Sequence, residues 1–447
     1  MFSKAIFAAK EHLAARPDIK RIAINSSWLI GDKVLRLFMG LLVGAWVARY
    51  LGPLNYGRLA YIVAFLAIFQ SFAVLGLDGI IVRDLAKKTI VPSKILGSAL
   101  VLRLIAATLA LATACVSIHF LYPTDTEYLW LVLLIGIGII FQTADIVDLW
   151  FQSQSQSRRT VGAKAVAYVL AAMVKIFLIV SLSPLWMFAA VQGGEVAISA
   201  LALYFSYKRF PVDGPWHPSI KVAKKLLRES WPFLISALLI IVYMRSSQFF
   251  IERFAGSASV GVYSAAQVLS ELWYFLPMTI CASVAPIVAR KKALDQKHYE
   301  DALKKVFCLM WVLSIGIAIF VATFANPIVG LLYGPAYRES GSVLAIHIFT
   351  LIPVCLGVSQ SIWLINENRS SLAVSQAVVG AISSVSLNYL LIQKYGITGA
   401  AMATVISQCI QAFAVNIVFA PQLLRIQMDA LFMPFSLIRS LLVKGKY

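Results

Sequence analysis

The chain has 447 residues, 60% of them apolar and only 13% charged, with 39 Lys and Arg against 20 Asp and Glu and a formal net charge of +19. That balance excludes a soluble globular protein of this length. A nucleic-acid partner is not expected either, because the positive charge is confined to particular gaps between apolar segments instead of forming a basic face.

Residues 1-21 carry five basic residues and no unbroken apolar run, so no signal peptide is expected. Phe2, Ile6, Ala9 and Leu13 fall on one helical face, which suits a short interfacial helix or a frayed tail equally well. Apolar segments follow near 22-48, 56-80, 95-120, 127-151, 161-182 and 184-207, then 229-251, 257-288, 303-331, 341-365, 370-392 and 396-420. Each is long enough for a helix to cross the ~30 Å hydrocarbon core. The N-terminus, the even-numbered gaps and the tail hold 29 of the 39 basic residues, and the alternate gaps hold five: Arg49, Arg58, Arg253, Arg338 and Lys394. Lys and Arg collect on the cytoplasmic side, so the asymmetry predicts cytoplasmic termini and a multi-pass protein of the bacterial inner membrane, with the excess cations also attracted to anionic membrane lipids.

Five regions result: a cytoplasmic N-terminal segment 1-21, an N-lobe 22-207, a cytoplasmic linker 208-228, a C-lobe 229-420 and a tail 421-447. The linker contains Pro211, Gly214, Pro215 and Pro218 and breaks the helical pattern. In the tail, Phe432, Phe435, Leu437 and Leu441 stand among scattered cations, a pattern that reads as cytoplasmic or interfacial.

The two lobes are predicted to be a tandem duplication. Arg49-Tyr-Leu-Gly52 with Gly57 recurs as Arg253-Phe-Ala-Gly256 with Gly261 at identical spacing. Span four exits through Trp150 towards Arg158, and span ten through Trp363 towards Arg369. Lys87-Lys88 is matched by Lys291-Lys292. Six spans per repeat, an even number, give parallel repeats with a cavity between them, and a moving transporter fits that plan better than a static bundle.

Ten ionisable residues inside spans stand out: Asp32, Lys33, Arg36, Arg103, Asp145, Asp148, Lys175, Glu195, Arg245 and Glu271. Each costs roughly 2.5–3.5 kcal/mol at a helix centre, so they must face one another, backbone groups or water. Arg36, Arg103, Lys175 and Arg245 are the candidate cations for an anionic substrate, since guanidinium forks bind phosphate bidentately. Snorkelling to the headgroups is the competing reading for Arg103. Asp32, Glu195 and Glu271 are candidates for ion coupling, because a carboxylate takes up a proton as its surroundings dry. Partnership with a buried cation accounts for them equally well. Asp145 and Asp148 share a face near the cytoplasmic end of span four. They are expected to gate the cavity there or to pair with Arg158 or Arg159, pairing being the favoured reading.

The five cysteines lie inside apolar spans without CxxC spacing, the five histidines show no metal spacing, and no Gly-rich GxxxxGK[ST] loop is present. No cofactor, metal or direct use of ATP is expected. A nucleophile–base arrangement is also lacking, so no catalytic activity is expected.

Several short stretches carry a family resemblance: Val47-Ala-Arg49-Tyr-Leu-Gly52-Pro, Leu75-Gly-Leu-Asp78 with Arg83, Leu332-Tyr-Gly334-Pro-Ala-Tyr337, Trp363 with Asn366-Glu-Asn-Arg369, and Tyr395-Gly396-Ile-Thr-Gly399. Over about residues 20 to 420 the chain resembles the Wzx-type O-antigen and polysaccharide-biosynthesis flippases of the multidrug/oligosaccharidyl-lipid/polysaccharide exporter superfamily. The resemblance implies an all-α polytopic membrane protein with 12 transmembrane helices in two six-helix repeats around a central cavity, as in MATE transporters. It implies an undecaprenyl-diphosphate-linked oligosaccharide as cargo, carried to the periplasmic leaflet by alternating access. It also implies H+ or Na+ as coupling ions and other polysaccharide-assembly membrane proteins as partners. A cation-coupled drug antiporter of the same superfamily is the first alternative, and would favour a more acidic, aromatic cavity. A membrane glycan polymerase or ligase is the second, although the periplasmic gaps here are short. A lipid II flippase would carry two further helices.

Overall fold

The computed structural model describes residues 17–88, 90–212 and 214–444, the side chains of 17–30, 32–34, 370 and 434–444 excepted. The helix considered for residues 1–16 lies outside the described residues, as do the side chains of Asp32, Phe435, Leu437 and Leu441. Among the described residues the structure is helical and contains no strand. The helices are α1 (Pro17–Val74), α2 (Asp78–Lys87), α3 (Pro92–Leu121), α4 (Thr126–Phe141), α5 (Ile146–Ser153), α6 (Arg158–Val180), α7 (Leu185–Arg209) and α8 (Ile220–Glu271). They continue as α9 (Phe275–Leu294), α10 (Gln296–Thr323), α11 (Ala325–Tyr333), α12 (Glu339–His347), α13 (Leu351–Asn366), α14 (Ser370–Cys409), α15 (Val415–Phe419) and α16 (Pro421–Lys444).

Nine segments among the described residues are long and apolar enough to cross a membrane. Three of them, Leu35–Lys87, Ile220–Leu294 and Ser371–Phe419, pass through kinks at Gly52, Gly256 and Gly396, so the nine are compatible with twelve crossings. α1 has 58 residues, and a straight helix of that length would span ~87 Å, far more than one bilayer, so the kink is what returns the chain. Gly52 (φ 71, ψ 169) and Gly256 (φ 80, ψ 172) share a conformation that only glycine adopts readily. Pro53 then occupies the first position of the next helical limb, where its missing N–H costs nothing. The second expected span stops at Val74 because Leu75 and Gly76 turn the chain with positive φ, and Asp78–Lys87 forms a separate short helix.

The duplication is visible in the backbone. Gly52 and Gly256 are the kink residues of equivalent helices. The exits of spans four and ten also match bond for bond. At the first, the N–H groups of Gln154, Ser155 and Gln156 donate to the carbonyls of Trp150, Gln152 and Phe151; at the second, Glu367, Asn368 and Arg369 donate to Trp363, Ile365 and Leu364. Ser155 and Asn368 hold the same left-handed position, with φ of 53° and 54°. Span four is also interrupted by a 3-10 turn, at Gln142–Asp145, and span ten by one at Ile348–Thr350, although these two do not fall at equivalent positions relative to Trp150 and Trp363.

Contacts divide the chain into two compact units, the first comprising residues 1–47 and 65–238, the second 48–64 and 239–447. The core of the first is built from Leu77, Ile81 and Leu85 of α2, Ile95 and Leu96 of α3, and Ile146 of α5. Val212 of the linker and Val222 and Leu226 of α8 close it. Val212, Val222 and Leu226, within the expected linker 208-228, therefore pack into this core. In the second unit, Leu303, Phe307 and Met310 of α10 pack with Leu351, Cys355 and Leu356 of α13 and with Leu423, Ile426 and Ala430 of α16. The described part of the tail is thus a packed helix, fixed further by Trp311 Nε1 donating to the Gln427 carbonyl at 3.1 Å and by Lys304–Asp429 at 2.9 Å. Also within this unit, the two copies of the kink motif cross at backbone distance. A Cβ on Gly57 would lie 1.7 Å from the Ser257 carbonyl oxygen, and one on Gly261 would lie 2.1 Å from that of Pro53. The Tyr337 hydroxyl donates to the Ala48 carbonyl at 2.7 Å, joining the Leu332–Tyr337 stretch to the first kink motif.

Candidate functional site

Two clusters of charged and phenolic side chains lie within the membrane-spanning segments, one in each unit. In the first unit, Lys175 on α6 faces Glu195 on α7, Nζ to Oε2 3.4 Å, with the side chains 24% and 21% exposed. Tyr168 stands seven residues before Lys175, hence on the same face of α6. Its hydroxyl donates to the Arg36 carbonyl on α1 at 3.0 Å, and the Arg36 guanidinium lies 5.1 Å from the centre of its ring. Tyr168 is also within electrostatic reach of Glu195. Gly40, one turn after Arg36, makes room: a Cβ there would stand 2.7 Å from the Tyr168 hydroxyl. Three residues singled out in the sequence, Arg36, Lys175 and Glu195, are therefore brought together, with Tyr168 between them.

In the second unit, Arg245 and Glu271 both belong to α8 but lie on opposite sides of the Gly256 kink, which folds the helix back and brings them to 3.9 Å. They are 29% and 23% exposed. Gln267 donates to the other carboxylate oxygen of Glu271 at 2.7 Å. Tyr243, Tyr263 and Tyr274 all lie within electrostatic reach of Glu271. The helix breaks immediately after Glu271 into the 3-10 turn Leu272–Tyr274, and Tyr274 exchanges a hydrogen bond with Thr350 at 2.7 Å in the corresponding turn of span ten. Interruptions of this kind inside helices often mark hinges.

The remaining sequence candidates lie elsewhere. Arg103 is buried, with 4% of its side chain exposed, and is engaged by Asp78, the first residue of α2. Asp145 and Asp148 pair with Lys164, at 2.8 and 2.7 Å. Pairing with Arg158 or Arg159 is the sequence expectation; the cation that reaches both carboxylates is Lys164, about a turn and a half further into α6. The Arg159 guanidinium instead stacks 3.3 Å from the centre of the Phe210 ring. The Asp32 side chain lies outside the described residues.

Sequence reading missed the tyrosines, because a phenol inside an apolar span looks like packing. It also missed a chain of buried amides in the second unit. Gln376 donates to Gln360 at 3.0 Å and to Asn416 at 2.9 Å, while Gln360 and Asn416 both donate to the Ala412 carbonyl at 2.8 Å. Ala412 lies in the π-turn Ile410–Ala414, whose widened ladder frees that carbonyl. Gln411 of the same turn bonds the Tyr243 hydroxyl. The only advance signal was the presence of amides in apolar spans.

Chemically, each cluster offers a cation already paired with a carboxylate, phenol groups beside it and partial exposure. A cation held in this way is kept from facing lipid alone, yet remains available to a ligand with more negative charge than one carboxylate.

Comparison with known proteins bears on the class. Residues 22–292 match the family described as polysaccharide biosynthesis protein, and residues 247–443 match the lipid II flippase MurJ family. The "Probable low-salt glycan biosynthesis flippase" of Haloferax volcanii is 26% identical over 206 residues, 45% of this chain and 42% of that protein, so the match spans less than half of that relative's length. The "Putative O-antigen transporter" of Shigella dysenteriae is 23% identical over 312 residues, 69% of this chain and 76% of that one. In fold, the chain is similar to an inward-facing multidrug resistance transporter of the MATE family and MOP superfamily. That likeness has a TM-score of 0.71 at 15% identity and covers 88% of this chain and 95% of that one. The all-α polytopic membrane fold of the MATE type is thereby established.

Proposed function

The chain belongs to the polysaccharide biosynthesis protein family, and we propose that it is a flippase of the bacterial inner membrane that moves an undecaprenyl-diphosphate-linked oligosaccharide from the cytoplasmic to the periplasmic leaflet. The observation that carries this reading is the pair of cation–carboxylate–tyrosine clusters, Arg36–Tyr168–Lys175–Glu195 and Arg245–Glu271 with its three tyrosines, inside spans that must otherwise be apolar. A bare diphosphate faces a large desolvation penalty in the bilayer. A fixed Lys or Arg offsets it, and a diphosphate outcompetes one carboxylate because it brings more charge and more acceptor oxygens.

Coupling follows from the same exchange. When the diphosphate takes the cation, Glu195 and Glu271 lose their partners and a proton or Na+ replaces them. When the cargo leaves, the pairs re-form and release the ion. The relatives named for glycan flipping and O-antigen transport support this class of cargo. The test imposes a proton or sodium gradient across proteoliposomes carrying a fluorescent glycan-diphosphate-lipid. The ion therefore travels with the cargo, so flipping is expected to accelerate under a gradient that falls in the direction of cargo movement and to slow under the opposite one, and Glu195→Gln with Glu271→Gln is expected to remove both effects. Flipping at the same rate under every gradient contradicts the coupling.

A further inference from the structure

A cavity of about 540 Å³ opens at the basic end of α7 in the first unit, and none of Arg36, Tyr168, Lys175 and Glu195 lines it. Leu100 of α3, Val147 of α5 and Ala200, Tyr204 and Tyr207 of α7 line it, and Trp216 of the linker closes one side. The volume is of the size that holds a small-molecule ligand. Ala200 is nine residues from the end of α7 at Arg209, so the cavity reaches about 13 Å along that helix from its basic terminus. The wall is mostly apolar, and the hydroxyls of Thr143 and Tyr207 in it are engaged. The Thr143 hydroxyl donates to the Ile140 carbonyl at 2.8 Å, and the Tyr207 hydroxyl accepts from Trp216 Nε1 at 2.6 Å and from the Val212 N–H at 3.2 Å. Those two bonds hold the linker over the cavity as a fixed wall.

The surroundings identify the occupant. Leu201, Tyr204 and Phe205 are 55%, 50% and 57% exposed on the same stretch of α7, an apolar surface suited to lipid. At the terminus stand Lys208, whose Nζ lies 5.1 Å from the Tyr204 ring centre, and Arg209, both exposed and both in the last turn of α7. The slot is apolar, it runs along a helix long and apolar enough to cross a membrane, and the cations Lys208 and Arg209 stand at the end of that helix from which it begins.

We propose that this cavity is a binding site for an anionic phospholipid of the cytoplasmic leaflet. One hydrocarbon chain lies between Leu100, Val147, Ala200 and Trp216, and the phosphate lies against Lys208 and Arg209. A chain alone fits the apolar wall, and the cations select the headgroup. The site is separate from the cargo clusters and holds whatever the cargo proves to be.

The test uses the full chain in phosphatidylcholine nanodiscs containing a small fraction of phosphatidylglycerol or phosphatidylcholine with a photoreactive diazirine in the chain, followed by peptide mapping. Residues 200–207 and 211–216 are expected to be labelled several-fold more by the phosphatidylglycerol probe than by the phosphatidylcholine probe, and more than the 67%-exposed Phe177 on α6. Lys208→Gln with Arg209→Gln is expected to bring the two probes level. Ala200→Trp is expected to remove labelling by filling the slot, and Val147→Trp does the same from α5 should the first variant fail to insert. Labelling no higher than at Phe177, or equal for both probes in the wild type, overturns the proposal, since either describes ordinary annular lipid.

Discussion

Arg103 and Lys175, two basic residues within spans, are held differently. Arg103 is buried and bound to Asp78, so its charge is spent inside the fold. Removing Asp78 leaves that guanidinium buried without its carboxylate, a change that costs about 3 kcal/mol or somewhat less, because Asp78 is itself 58% exposed. Asp78→Ala is therefore expected to lower the melting temperature in detergent, Arg103→Met to do so less, and the double variant to recover most of the loss. A double variant as unstable as Asp78→Ala alone contradicts the assignment. Lys175 and Glu195 are each about a quarter exposed, and their pairing leaves the cation accessible. The charge swap Lys175→Glu with Glu195→Lys is expected to insert and fold normally while flipping at least tenfold more slowly, since the cation then stands on the wrong helix. At this scale the sequence revealed which residues were too costly to face lipid. It did not reveal their partners, because Asp78 to Arg103, Arg245 to Glu271 and Lys175 to Glu195 are 20 or more positions apart and meet only through the packing. The tyrosines were hidden because their apolar rings satisfy the same hydropathy pattern as leucine.

The helices are shaped by a few glycines. Gly57 and Gly261 sit where two backbones cross, and a methyl group at either would overlap a carbonyl oxygen. Gly57→Ala and Gly261→Ala are each expected to destabilise by about 1–3 kcal/mol through overpacking, read as reduced monodisperse yield and earlier thermal unfolding. Gly31→Ala, where a Cβ meets nothing within 4 Å, is the control and is expected to behave as wild type. Gly52→Ala acts differently, forcing a side chain into a backbone region at a cost of about 1–3 kcal/mol. These positions were legible as paired motifs at identical spacing. Their meaning was not, since a repeated Gly suggests a turn but does not say that the two copies touch. The family-resembling stretches Val47–Gly52 and Leu332–Tyr337 pack together, joined by the Tyr337–Ala48 bond. The 3-10 and π interruptions of spans four, eight, ten and twelve left no mark in the apolar pattern, because a change in hydrogen-bond register alters no hydropathy.

At the scale of the molecule, hydropathy and charge were enough to predict an all-helical multi-pass protein of duplicated design, since lipid leaves helices and closed barrels as the only spanning structures. The sidedness is a proposal from Lys and Arg placement: a cysteine introduced at Ser155 is expected to react with a membrane-impermeant thiol reagent only after the inner membrane is opened, and one at Ser257 before it is opened. The cargo is the central claim. The most direct measurement is flipping of an undecaprenyl-diphosphate-linked glycan in proteoliposomes by the wild type, Lys175→Ala and Arg245→Ala, with insertion of all three verified. The account predicts flipping by the wild type and at least a tenfold loss in each variant. Flipping unchanged by both substitutions, or no flipping alongside ion-dependent efflux of small cationic drugs, would contradict it.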